Sequence, residues 1–143
     1  MGLNHNVWLP KFKFTLQTIA VMYPQKPNTV TKKKYYEFIQ NIPIFIPISP
    51  MGKNFIKLLD EFPVTPYLDK RKDFIKWVHF IFNKINEQLN EPKEDLYESL
   101  EKYYEEYKPK EMKEKENILM KHKYLSFGLS LILIYSIYYF YYK

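Results

Sequence analysis

A chain of 143 residues has room for one compact domain and an appendage, not for two full domains. Its formal charge of +6 is unevenly spread: residues 1–92 carry 13 Lys+Arg against 7 Asp+Glu, whereas residues 93–143 carry 9 against 9. The absence of cysteine excludes disulfides, thiolate metal sites and cysteine nucleophiles. The positive charge forms neither a dense basic helix nor a recognisable binding fold, so no nucleic-acid partner is expected.

From the N-terminus, Met1 to Asn6 lack the apolar run of a signal peptide. Pro10 is expected to open a first helix with Phe12, Leu16, Ile19, Ala20 and Tyr23 on one face, closed by Pro24. Thr31 is the expected cap of a second helix carrying Tyr35, Phe38, Ile39 and Ile42. The three prolines between Pro43 and Pro50 predict an irregular stretch, followed by a short helix over 51–59 and a loop at Pro63 and Pro66. Asp69 is expected to cap a long helix to Leu89, with Phe74, Trp77/Val78, Ile81, Ile85 and Leu89 on its apolar face.

Beyond Pro92 the spacing of Leu96, Leu100, Tyr103 and Tyr107 predicts a charged helix broken or kinked at Pro109, with Lys110–Glu116 either a solvated spacer or a helix resting on a partner. From Tyr124 to Tyr142 no residue is charged. At about 1.5 Å per residue this run spans roughly 28 Å, close to the hydrocarbon thickness of a bilayer. Tyrosines crowd its far end, where amphipathic rings prefer the interface. The expected organisation is a helical domain over 1–92, a charged helical linker over 93–123 and a transmembrane anchor over 124–142. Lys121 and Lys123 ahead of the anchor, against Lys143 after it, favour a cytosolic domain.

Sites for small-molecule chemistry are scarce. His5, His79 and His122 are too scattered to be ligands of one metal, and no metal site is expected. Three glycines, Gly2, Gly52 and Gly128, cannot build a phosphate-binding loop.

The order of motifs nevertheless resembles a known family. Trp8-Leu9-Pro10 with Leu16, Ile19-Ala20 and Tyr23-Pro24 is similar to the Trp-Gly-Pro…Trp…Leu-His-x-x-Ala…Tyr-Pro opening of the Erv/ALR FAD-linked sulfhydryl oxidases. Phe82-Asn83-Lys84-Ile85-Asn86 resembles that family's His-Asn-x-Val-Asn, with Trp77 at the expected distance ahead. Pro47 to Phe55 falls where the family has Pro-Cys-x-x-Cys-x-x-x-Phe. The resemblance covers residues 7–92 and implies an all-α, four-helix bundle, with FAD among the helices and a redox cysteine pair beside it. It also allows a homodimer through the first helices.

Here the two cysteine positions hold Ile48 and Met51, and neither side chain can take part in thiol exchange. The flavin-site positions are eroded as well: Lys13, Gln17 and Phe82 stand where the family has tryptophan, histidine and histidine, while Trp8, Asn83, Ile85 and Asn86 remain as a remnant. The resemblance therefore implies a chain that is not an enzyme and holds no FAD, reused as a membrane-anchored structural or interaction protein. Its partners would be the membrane and other membrane or capsid proteins. All basic residues but Arg71 are lysine, and Asn, Ile, Phe and Tyr abound, as expected from the AT-rich genomes of many large DNA viruses and some protists. That bias, with the frequent occurrence of Erv-like proteins in large DNA viruses that the resemblance brings in, suggests a virion internal membrane, with an organellar membrane complex as the second setting. The enzymatic alternative is an FAD-binding subunit that borrows its thiols from a partner chain.

Overall fold

The computed structural model describes residues 3–46 and 49–142, and among them every regular element is helical. Six α-helices run in order: α1 (His5–Val21), α2 (Thr29–Phe45), α3 (Ser49–Glu61), α4 (Arg71–Gln88), α5 (Leu96–Glu105) and α6 (Lys110–Tyr141). A single 3₁₀ turn (Thr65–Tyr67) joins α3 to α4. Two compact units result, residues 1–103 and 104–143. The first extends past the boundary expected at residue 92, because α5 buries Ser99 and Tyr103 within it.

The core of the first unit gathers Leu16 and Ala20 of α1, Ile39 and Ile42 of α2, Phe55 and Leu58 of α3, and the inward stripe of α4. On α4 the expected periodicity holds: Phe74, Trp77, Val78, Ile81 and Ile85 are all buried, and Phe82 joins them. α1 and α4 run antiparallel, since Tyr23 meets Phe74 at 5.1 Å while Phe12 meets Phe82 at 6.3 Å. At the Tyr23 end, the Tyr23 hydroxyl donates to the Leu68 carbonyl at 2.7 Å and the Arg71 Nε donates to the Tyr23 carbonyl. Those bonds satisfy polar groups that the ends of α1 and the 3₁₀ turn would otherwise bury unpaired.

Several expected boundaries are corrected. Pro10 lies inside α1, which starts at His5 with Asn4 as its cap. Trp8 and the buried Leu9 begin the apolar face ahead of the proline, and their packing outweighs the one backbone bond that Pro10 forfeits. Pro43 is likewise inside α2 and buried, and Pro50 lies inside α3, so both ends of the expected irregular stretch are helical. The cap of α2 is Asn28, whose side chain accepts from the Thr31 amide at 2.8 Å. Asp69 caps nothing: Lys70 holds the cap position of α4, and Asp69 pairs with Lys32. Phe38, expected on the inner face, is 41% exposed, because α2 turns Ile39 and Ile42 to the core. Of the two alternatives for 110–116, the helix is the one observed: these residues form the first part of α6, continuous with the apolar segment.

Two backbone details set how closely α2 meets α3 and where the chain goes after α4. A Cβ on Gly52 would stand 3.0 Å from the Pro43 carbonyl oxygen, so only glycine lets α3 approach α2 this closely. After α4, Asn90 adopts φ 58°, the Glu91 amide donates to the Asn86 carbonyl and the Asn90 amide donates to the Glu87 carbonyl. This is a Schellman ending, and asparagine tolerates the left-handed position better than any residue but glycine.

In the second unit, α6 runs through 32 residues with no side chain buried. Its distal part is long and apolar enough to cross a membrane.

Candidate functional site

Polar residues on a core-facing stripe require partners. On α1 the stripe carries Lys13 and Gln17, and on α4 it carries His79 and Asn83. All four side chains are partly buried. Their partners come from the segment that the Schellman turn redirects past α4. Asn83 Nδ2 donates to the Glu94 carbonyl at 2.9 Å, and the Glu94 amide donates back to Asn83 Oδ1 at 3.0 Å. Asn86 Nδ2 donates to the Pro92 carbonyl at 3.3 Å. Lys13 forms an ion pair with Glu94, Lys102 approaches the same carboxylate at 3.4 Å, and Gln17 Nε2 donates to Ser99 Oγ at 2.9 Å.

Burial pushes the Glu94 carboxyl up, but the Lys13 and Lys102 ammonium groups outweigh it, and the group titrates below the usual carboxylate range. The ring of His79 is constrained more tightly. With the Asn83 amide oriented by Glu94, Asn83 Nδ2 faces His79 Nε2 at 3.0 Å, so that nitrogen must accept. The ring proton then sits on Nδ1, which is buried without a partner among the described residues. Burial and the Lys13 charge together lower the His79 pKa, against smaller opposing effects from Glu94 and Asp95.

A histidine whose folded pKa is depressed binds its proton more readily when unfolded. The stability it confers is therefore present above the unfolded value near 6.5 and lost as pH falls below it. The full chain is expected to lose thermal stability between about pH 7 and pH 5.5, and His79→Leu should flatten that part of the profile. A wild-type profile flat over this interval, followed by circular dichroism, would contradict the arrangement.

The sequence-predicted site residues divide in two. Asn83 and Asn86 are brought together as clamps on the 92–94 segment, and Ile85 is buried in the core. Trp8 packs against Phe12 at 6.1 Å, with its buried Nε1 unpartnered among the described residues. Met51 lies partly buried against the core cluster, while Ile48 lies outside the described residues. Glu94, Ser99 and His79 were not singled out from the sequence as site residues. The signal for them was the pair of polar side chains, Lys13 and Gln17, on an otherwise apolar face. Among the described residues no group of three His, Cys, Asp or Glu side chains could hold a metal ion.

The positions that the resemblance assigns to a flavin are engaged within the chain: Lys13 by Glu94, Gln17 by Ser99, Asn83 by Glu94, and Phe82 by burial against Phe12. An isoalloxazine placed among them would have to displace an ion pair, a side-chain hydrogen bond and an aromatic contact. An open cleft of about 480 Å³ remains at the far end of α1 and α4, where Asn86 is the one remnant residue in its lining.

A model of the Erv1/Alr family matches residues 14–119. No curated protein matches the chain. Among solved structures, the core of yeast Erv1 superimposes with a TM-score of 0.64 at 21% identity, over 72% of this chain and 86% of that one. The FAD binding domain of Erv1 from Saccharomyces cerevisiae gives a TM-score of 0.64 at 22% identity, over 71% of this chain and 94% of that one. Likeness at this identity speaks to the fold.

Proposed function

The chain belongs to the Erv1/Alr family, and from that membership we propose that it is a non-catalytic, membrane-anchored member working as a structural or interaction protein. The observation that carries this reading is the absence of cysteine from all 143 residues. Thiol oxidation needs a thiolate to attack and a second thiol to resolve, and no other side chain substitutes. The closing of the former flavin positions by Glu94 and Ser99 supports it, as does the apolar part of α6. An interaction role is supported by Ile44 and Phe45, which stand 75% and 76% exposed at the end of α2. The partner class is other membrane or capsid proteins or a second copy of the chain. The proposed setting is a virion membrane, with an organellar membrane complex second.

One observation favours a second reading, an FAD-binding subunit that borrows thiols from a partner: the likeness to a domain described as FAD binding. The visible spectrum of the purified full chain discriminates the two. No flavin absorbance is expected, and no oxygen consumption with dithiothreitol, even after Ile48→Cys with Met51→Cys. Stoichiometric flavin would favour the second reading, and robust turnover by the unmodified chain would sink the first.

A further inference from the structure

The positive charge of this chain is gathered at one end of the first unit. The bonds of Tyr23 to Leu68 and Arg71, with the Lys32–Asp69 ion pair, bring the end of α1, the start of α2, the 3₁₀ turn and the start of α4 together. Residues 22–37 and 67–76 contain eight basic and three acidic residues, a net of +5 in a chain whose total is +6. At the other end of α4, residues 87–98 hold five acidic residues against one basic.

This placement is unfavourable within the chain itself. Lysines 32–34 lie just past the capped start of α2, and Arg71 and Lys72 open α4, where the helix macrodipole repels cations. The carboxylates within these two stretches are Asp69, Asp73 and Glu37, too few to compensate. Apolar side chains are exposed at the same end: Met22 at 70%, Val30 at 68% and Tyr67 at 41%. Basic side chains interspersed with protruding apolar ones match a surface that is anionic outside and apolar beneath. A nucleic acid or an acidic protein would satisfy the charge but not the apolar tips.

We propose that this basic end docks on anionic phospholipid headgroups, with Val30 and Met22 reaching below them. The proposal rests on the reading of α6 as membrane-crossing, which keeps the first unit beside a lipid surface and raises its effective concentration there. A modest attraction then suffices, and it is sensitive to salt.

The absence of native cysteine permits a clean test. Val30→Cys, labelled with an environment-sensitive fluorophore, is compared with a labelled Glu91→Cys at the acidic end. The full chain is placed in nanodiscs of phosphatidylcholine alone or with phosphatidylserine. A blue shift and a several-fold rise in emission are expected at position 30 only, and only with phosphatidylserine. High salt should reverse them, and Lys33→Glu with Lys72→Glu should abolish them while leaving the circular dichroism unchanged. Equal emission in both discs, or an equal change at positions 30 and 91, would overturn the proposal. So would a response to an oligonucleotide added to neutral discs with none to phosphatidylserine. Failure to enter either disc would instead count against the anchor. The labelled chain would then be titrated with phosphatidylserine vesicles, where silence at position 30 overturns the docking.

Discussion

Replacing Trp77 with alanine is expected to destabilise the first unit by about 3–5 kcal/mol, the range for an aromatic side chain removed from a packed core. Trp77 is 2% exposed, its ring stacks 6.2 Å from that of Phe74, and its indole N–H donates to the Phe62 carbonyl at 3.0 Å. Alanine would leave a cavity between α3 and α4 and strip that carbonyl of its donor, so the packing and hydrogen-bond losses act together. Trp77→Phe keeps most of the volume and should cost about 1–2 kcal/mol, chiefly the lost bond. In a unit of this size 1 kcal/mol moves the midpoint by about 4–8 °C, so the alanine variant should melt more than about 12 °C lower. Near-ultraviolet circular dichroism of the full chain in detergent would track the first unit, and a midpoint shift of only a few degrees would show that Trp77 does not close the core.

Deleting residues 124–143 should convert a chain that resists alkaline extraction from membranes into a soluble, helical one. From Leu125 to Ile137, eight Leu, Ile and Phe side chains are more than half exposed along α6, far more contiguous apolar surface than a soluble monomer carries. Each contributes about 0.3–0.6 kcal/mol to insertion at the bilayer centre, and no charged side chain opposes them. The core of the first unit is closed without them, so residues 1–123 should unfold cooperatively in urea. A truncated chain that stays with the membrane pellet, or aggregates, would show that the first unit depends on contacts outside itself.

The fold was legible in the sequence wherever apolar periodicity was long. The stripe from Phe74 to Ile85 gave α4 and its inner face, and the uncharged run from Tyr124 gave the end of α6. The prolines misled because a local rule was set against a distributed one. Pro10 and Pro43 each remove one backbone bond, while the helical faces around them bury several side chains. Phe38 was misplaced because Phe38 and Ile39 are both apolar, and spacing alone does not say which of two neighbours turns inward. Within the site, Asn83 and Asn86 were visible through their motif, but their true partners were not. Glu94 meets Lys13 across 81 residues and Ser99 meets Gln17 across 82, and no local pattern encodes such pairings.

The unbroken course of α6 has a mechanical consequence. Residues 110–123 and the apolar residues beyond them share one helical phase, with no hinge at the lysines between. An azimuth selected by neighbours within the bilayer is therefore carried without slack to Lys110. Each residue inserted at Lys121–Lys123 would rotate the emergent part by about 100° and lift it about 1.5 Å, and only insertions near a whole turn would restore its heading. In a membrane, α6 behaves as a crankshaft rather than a cord.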